Sequence, residues 1–449
     1  PGVAMNPETR KPEMMNGERF LILINGVQSD VSILRSMPAE EIKRLEILDM
    51  VPMRYREYDK VINVLTYGNF RGGSLAGDLV QSVSPMLGMS DVWLQGAAFG
   101  KKDMFAATYY FSRREYKERI TDKEQSFTLP SIGKISRKSR LEDAFGYRLH
   151  LPTLTYQRQE TGNYTLQLVS ASSIIPDHAV GSGTINENGT ELSTKSSSQS
   201  TKVKSSVDLL FIKEINKKNS LSFNAVWTGI FTDRTDTNHE EKISNKEVVF
   251  SDKVVQDLKK NSLILQADYE HTFESPAQLS LGYRYYGAKL NSIVTNSFFE
   301  NKPSVTTQNN HSLYGDFSYK LGQVNLSLKG TLDYLHSNYY GARQSSLSPQ
   351  VYLNAKYIID KHNALRLRTS YTYYESQLGS HAENMRYLEQ YILYRGNPNL
   401  KPTRSLGARV TYSLTYPNLY VELAPIAHCN WGDEYNDYFL EKDPQTGRE

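Results

Sequence analysis

Residues 262–273 read SLILQADYEHTF, and after Glu274-Ser275-Pro276 the chain returns through residues 278–286 as QLSLGYRYY. In the first arm Leu263, Leu265, Ala267, Tyr269 and Phe273 fall on one face, with Ser262, Gln266, Asp268, Glu270 and Thr272 on the other. In the second, Leu279, Leu281, Tyr283 and Tyr285 oppose Gln278, Ser280 and Arg284. A period of two marks a strand with one apolar and one wet face. The same template fits residues 324–334, where Val324, Leu326, Leu328, Gly330, Leu332 and Tyr334 oppose Asn325, Ser327, Lys329, Thr331 and Asp333. It fits again at Phe105, Ala107, Tyr109 and Phe111, and at Leu406, Ala408, Val410, Tyr412 and Leu414. About fifteen strands of this kind follow Gly72.

Alternation alone suits a soluble β-sandwich as well as a membrane barrel, since each has one wet face. Three features favour the barrel. The strands run about ten to thirteen residues, against about 5–6 in soluble sheets and about 9–11 in a tilted membrane strand. Aromatics gather near strand ends, as in Tyr109-Tyr110-Phe111, Tyr283-Arg284-Tyr285-Tyr286 and Tyr339-Tyr340, where interfacial girdles sit. The polar face carries full charges in mid-strand (Asp268, Asp316, Asp333, Arg366, Arg368, Glu422), costly in a dry core but suited to a hydrated lumen.

The connections alternate in length. Tight polar turns at 100–103, 160–163, 216–219, 274–276, 322–323, 360–363 and 416–418 are separated by long stretches near 115–143, 175–201, 232–260, 294–309 and 376–403. Short turns on one side and long loops on the other describe an outer-membrane barrel, with the long ones extracellular. The Ser/Thr/Gly/Asn-rich stretch from Ile175 to Lys202 reads as a mobile loop. The stretch at 376–403 differs in holding Tyr387, Leu388, Tyr391, Ile392, Leu393 and Tyr394. Tyr387, Tyr391 and Tyr394 are therefore candidates for ligand binding; the competing reading is a short helix packed over the barrel mouth.

Composition agrees. Lys and Arg total 52 against 49 acidic residues, a net charge of +3 that leaves no nucleic-acid footprint. No run of eighteen apolar residues exists, so a helical span is excluded, though not a barrel. The 31 tyrosines have the amphipathic shape favoured at a lipid–water boundary. One cysteine, Cys429, cannot form an internal disulfide and belongs to no metal-ligand cluster. Asp233, Asp236, His239, Glu240 and Glu241 offer oxygen ligands for a hard cation, but a solvated, lysine-balanced loop is the better explanation of them. No motif for an enzyme, a metal or a cofactor is present.

The first seventy residues follow another pattern. Asn16-Gly17 is a hairpin signal between Glu13-Met14-Met15 and the apolar run Phe20–Ile24, and Asn25-Gly26 turns the chain again. Pro38 followed by Glu40 and Glu41 predicts a short helix start, leading into Leu45–Leu48 and a strand over Val61–Thr66.

This segment, FLILING…PAEEIKRLE…VINV, resembles the C-terminal half of the plug domain of TonB-dependent outer-membrane receptors, most closely the Bacteroidota branch. The matching positions are Asn25-Gly26, then Pro38, Glu40, Glu41, Ile42, Arg44 and Glu46, then Val61–Val64. Gly396-Asn397-Pro398-Asn399-Leu400-Lys401-Pro402 resembles a loop-to-strand element common in these barrels. Residues 54–60 depart from the family in lacking its glycine-rich segment. The resemblance implies an all-β transmembrane antiparallel barrel of about 22 strands, of which residues 71–449 supply a part incomplete at the C-terminus. Residues 1–70 would be the remnant of a small α/β plug. The polar tail Lys442–Glu449 is unlike a closing strand, so the sequence reads as a fragment of a longer chain.

Function follows from the same resemblance: import of a bulky nutrient (metal chelate, oligosaccharide or peptide) across the bacterial outer membrane. It implies a TonB–ExbB–ExbD inner-membrane motor acting through a segment upstream of residue 1, outer-membrane lipid around the barrel, and a surface lipoprotein as a further partner. A plugged barrel without energy coupling, acting in assembly, secretion or adhesion, is the alternative. Arg44 and Glu46 occupy the family's Arg-x-Glu positions and are expected at the plug–barrel contact, with Arg44 facing Asp268, Glu270 or Asp316; pairing of Arg44 within the plug is the competing expectation.

Overall fold

The computed structural model describes residues 3–5, 12–14, 20–28, 37, 39–48, 55, 58, 60–67 and 71–432, apart from 131, 161, 376, 377, 383, 417 and 418. Its main body is one antiparallel sheet in which each strand pairs with the next in sequence. The strands are β7 (Gly72–Gln81), β8 (Leu87–Phe99), β9 (Asp103–Leu129), β10 (Gly133–Glu160), β11 (Tyr164–Glu187), β12 (Thr190–Asn216) and β13 (Asn219–Lys242). They continue as β14 (Val248–Thr272), β15 (Ala277–Thr295), β16 (Ser304–Leu321), β17 (Val324–Tyr339), β18 (Ala342–Ile358) and β19 (Asn363–Tyr374). After an excursion containing the short strands β20 (Arg386–Glu389) and β21 (Ile392–Tyr394), β22 (Thr403–Tyr416) pairs with β19.

The last two segments, β23 (Leu419–Leu423) and β24 (Ile426–Trp431), pair with β22 in a single register: Tyr412 faces Leu423 and Arg409 faces Ile426. They are one strand interrupted at Ala424-Pro425, where proline removes a ladder donor. Counted so, the sheet has about fifteen strands. Among the described residues β7 and the final strand do not pair, so the barrel wall is open between them.

Two neighbouring rows of the wall show how the sequence arranges it. Phe223, Ala267, Tyr283, Leu313, Leu332 and Pro349 are successive register partners from β13 to β18. One residue away, Ser222, Asp268, Gly282, Tyr314, Thr331 and Gln350 form the adjacent row. Leu313 is 61% exposed and Phe223 50%, whereas Asp268 is 6% exposed. Apolar side chains face outward and polar ones inward, the reverse of a soluble core.

Beyond this band the strands do not stop. Residues 175–201, expected as a mobile loop, form the outer halves of β11 and β12 and turn at Asn188-Gly189. Asn188 and Gly189 have φ of 49° and 89°, the paired positive values of a type I′ hairpin. The stretches near 115–143 and 232–260 are corrected in the same way: each is a long ladder with a short tip. Ladder bonds come from the backbone, so Ser- and Thr-rich sequence continues the strand once neither face needs to be apolar.

The N-terminal segment holds a second sheet in the order β4-β3-β6-β5, made of β3 (Phe20–Ile24), β4 (Val27–Gln28), β5 (Ile42–Leu48) and β6 (Lys60–Thr66). The expected helix start is a single 3-10 turn, Ala39–Glu41, feeding directly into β5. A separate pair, β1 (Val3–Met5) and β2 (Pro12–Met14), sets Glu13 opposite Ala4 and Met14 opposite Val3 rather than against Phe20–Ile24; Asn16-Gly17 and Pro38 lie outside the described residues, as do residues 442–449. Leu21 and Leu23 pack with Tyr55 and Val61 on one face, while Ile22, Ile24 and Val64 pack against Ala97 and Ala106 of the large sheet.

Candidate functional site: a small sheet on the inner wall and a covered mouth

Three parts make up the site: the small sheet, the inner face of the wall and the cover over its mouth. Asn25 and Gly26, with φ of 51° and 82°, form a type I′ turn that brings β4 back along β3. The Asn25 side chain then clamps the far strand: its Oδ1 accepts from Thr66 N at 3.0 Å and its Nδ2 donates to Thr66 Oγ1 at 2.9 Å. Gly26 N donates to Asn63 Oδ1 at 2.9 Å, Asn63 Nδ2 donates to Glu46 Oε2 at 3.2 Å, and Arg44 Nη2 donates to Glu46 Oε1 at 2.6 Å. The motif positions thus form one hydrogen-bonded chain across the sheet.

Arg44 is spent within that chain. The hydrogen bonds of Asp268 go to Ser222, Gln266 and Tyr314, and those of Asp316 to Lys329 and Ser327. Glu270 lies on the same face, opposite Ser220 and Ser280. The structure does not bring Arg44 to these carboxylates. It shows a contact that sequence offers no signal for: Gln159 Nε2 of β10 donates to the Asn25 carbonyl at 3.3 Å.

The wall itself is a lattice of side-chain bonds. Tyr314 lies across Gly282, which has no side chain to obstruct it, and its hydroxyl reaches Asp268. Asp333 accepts from Ser312 and from Gln350 Nε2, the latter at 2.6 Å. Such bonds satisfy buried polar groups that face the lumen.

The mouth is covered by residues 378–402. A 3-10 turn, Leu378–His381, leads to the β20–β21 hairpin and then to the Gly-Asn-Pro-Asn element. His381 stacks on Tyr339 with ring centroids 3.7 Å apart, and burial pushes its imidazole below the usual value. Tyr387 is 6% exposed, enclosed by Phe250, Phe298 and Phe299. The Tyr391 hydroxyl donates to Glu187 Oε1 at 2.9 Å, and Arg137 sits over the Tyr391 ring while its Nη2 reaches Glu240 Oε2 at 2.7 Å. Burial raises the Glu240 carboxyl, and Arg137 opposes that rise. Tyr394 lies under the Arg386 guanidinium at 4.8 Å. At the edge of the cover Glu375 accepts from Gln308 and from the Tyr373 hydroxyl; burial pushes its carboxyl up to about 7.

The acidic cluster of β13 is engaged by cations. Asp236 accepts from Arg234 at 2.7 Å, and Glu241 meets Lys246 at 3.4 Å. Among the described residues no group of His, Cys, Asp and Glu is arranged to hold a metal ion.

An outward apolar band and a polar inner wall define the wall of a membrane β-barrel, with the small sheet packed on its inner face. A family described as TonB dependent receptor-like, beta-barrel matches residues 103–424, and the chain belongs to that family of bacterial outer-membrane transporters. Its members are transporters rather than enzymes and work with the TonB–ExbB–ExbD system. Among solved structures, the copper transporter OprC aligns with a TM-score of 0.52 at 10% identity, over 95% of this chain and 67% of that one. A mutant of the ferric enterobactin receptor PfeA from Pseudomonas aeruginosa aligns with the same score at 13% identity, over 96% and 67%. These likenesses establish the fold. No curated protein matches by sequence.

Proposed function

We propose that this chain is the plug-bearing part of an importer for a bulky polar nutrient, with residues 1–70 as plug and 71–449 as barrel. The observation that supports it is the contrast between the two contacts of the small sheet. Inside, it is held by a continuous hydrogen-bonded chain from Arg44 to Thr66. Towards the wall the described contacts are apolar packing of Ile22, Ile24 and Val64, joined by Phe20, Met37, Ile42, Phe99 and Met104, on Ala97 and Ala106, and the Gln159–Asn25 bond. A plug bonded within itself by polar links and seated on its barrel by non-directional apolar packing can shift as a unit when pulled. The motor would pull it through a segment upstream, and Arg44 and Glu46 would keep the sheet intact under load. Metal chelates, oligosaccharides and peptides are the substrate classes in view, with Tyr391 and Tyr394 as ligand contacts in the cover; Tyr387 serves packing. A lipoprotein partner would dock on the same extracellular side.

The test is a reversible lock. In a Cys429→Ser background, cysteines placed across the apolar contact, one at Ile22 or Ile24 and one at Ala97 or Ala106, should crosslink plug to wall under oxidation. Binding partners are first found by thermal-shift screening of ferric chelates, copper, oligosaccharides and peptides, and uptake of the hit is then followed in cells. We expect uptake to stop when the pair is oxidised and to return on reduction. Unchanged uptake with the lock closed would favour the alternative, a barrel acting in assembly, secretion or adhesion without plug movement.

A further inference from the structure

The outward face of β7–β11 breaks the apolar band with a hollow. Gly96, Ala98 and Ala107 leave a recess of about 780 Å³ walled by Leu75, Phe105 and Leu154. The recess belongs to the lipid-facing side, because Leu75, Gly96, Ala107 and Leu154 are consecutive register partners and Leu75 and Leu154 are 88% and 61% exposed. At other points of the band the outward row is lined by large side chains, as at Leu313 and Leu332. A recess of this size in hydrocarbon is matched by a flexible apolar chain rather than by a compact solute.

Below it, toward the tight-turn side, the same outward rows turn polar. Arg158 and Asp103 are register partners one step beyond Tyr156 and Phe105. The Arg158 guanidinium donates through Nε to the Tyr164 hydroxyl at 2.9 Å and through Nη1 to Asp103 Oδ1 at 3.2 Å. Lys102 meets Glu160 at 3.2 Å, and Lys101 is exposed on the same turn. Lys213, the register partner of Tyr164, donates to the Asn163 side chain beside them, so four cations (Lys101, Lys102, Arg158 and Lys213) stand against two carboxylates, Asp103 and Glu160. An excess of cations at the headgroup level, directly under an apolar recess, complements a lipid with one buried tail and a net negative head.

We propose that this face holds an anionic phospholipid of the periplasmic leaflet, with one acyl chain in the Gly96–Ala107 recess and its phosphate at Arg158 and Lys102. The occupant is a phospholipid and not free phosphate, since most of the site is apolar. The test is native mass spectrometry of the purified, delipidated protein in detergent with added phosphatidylglycerol or phosphatidylethanolamine. The parent protein should retain phosphatidylglycerol at least about tenfold better, and inorganic phosphate should not displace it. Ala107→Phe, which fills the recess from an exposed position, should lose retention of both lipids. Arg158→Gln with Lys102→Gln should keep lipid binding but bring the two lipids to parity. Heat-modifiable gel mobility of each variant confirms that the barrel is formed. Equal retention of both lipids by the parent, displacement by phosphate, or full retention by Ala107→Phe would each overturn the proposal.

Discussion

A methyl group on Gly396 would fall onto the carbonyls of Ala382 and Ser380, where the backbone of the cover folds back on itself. Asn397 N donates to Ser380 O at 2.8 Å across the same contact. Gly396→Ala should therefore loosen the cover by about 1–3 kcal/mol, the usual cost of forcing volume into a packed site. Hydrogen exchange of residues 378–400 should speed up while exchange in β15–β17 stays as it was. Glu375 makes the same region sensitive to pH. Its folded-state value of about 7 lies above the usual 4.5, so the neutral acid is the form that the docked cover prefers. Its penalty is absent below about pH 4.5, grows as pH rises, and is complete above about 7, reaching on the order of 3 kcal/mol. The cover should be more readily cleaved by a protease at about pH 8 than at about pH 5, and Glu375→Gln should flatten that difference.

Among the elements, the cover is held chiefly by its hairpin. Tyr387 brings the largest buried ring into a nest of three phenylalanines, and Asn384 Nδ2 donates to Ser292 Oγ at 2.6 Å beside it. Tyr387→Ala should cost about 3 kcal/mol or more of docking free energy. It would show as new cleavage within 384–395 with an intact barrel. The sequence announced apolar content at 387–394 but not its destination. The partners Phe250 and Phe298 lie more than a hundred and nearly ninety residues upstream, and nothing in a linear pattern links them. The outer halves of the strands were harder to read than their membrane halves for a related reason. Alternation is imposed by lipid, and above the lipid it fades while the ladder persists. One local signal survives there: the Asn188-Gly189 tip carries the dipeptide that a two-residue hairpin demands.

For the whole molecule, the decisive property is the inversion of inside and outside. Leu328 is 53% exposed in the middle of the apolar band, and its neighbours in register are Phe317 and Leu353. Leu328→Arg should cost about 2–4 kcal/mol in a bilayer, read as a lowered urea midpoint for folding into vesicles. The strand count and the direction of each face were legible because hydrocarbon selects alternate residues over many strands in succession. The small sheet's polar chain was legible only as spacing: Asn25, Glu46 and Asn63 are far apart in sequence and meet because β3, β5 and β6 lie side by side. The Gln159–Asn25 contact had no signal at all, since a lone glutamine on a polar strand face resembles every other.

Strands β9 to β14 run 24 to 28 residues each. At about 3.3 Å per residue and a tilt near 45°, they rise roughly 55–65 Å, more than twice the apolar girdle of about 25 Å. The surplus stands clear of the bilayer as a turret with hydrogen-bonded walls. A solute met at its rim has tens of ångströms of guided descent ahead of it, so selection can begin well away from the membrane plane.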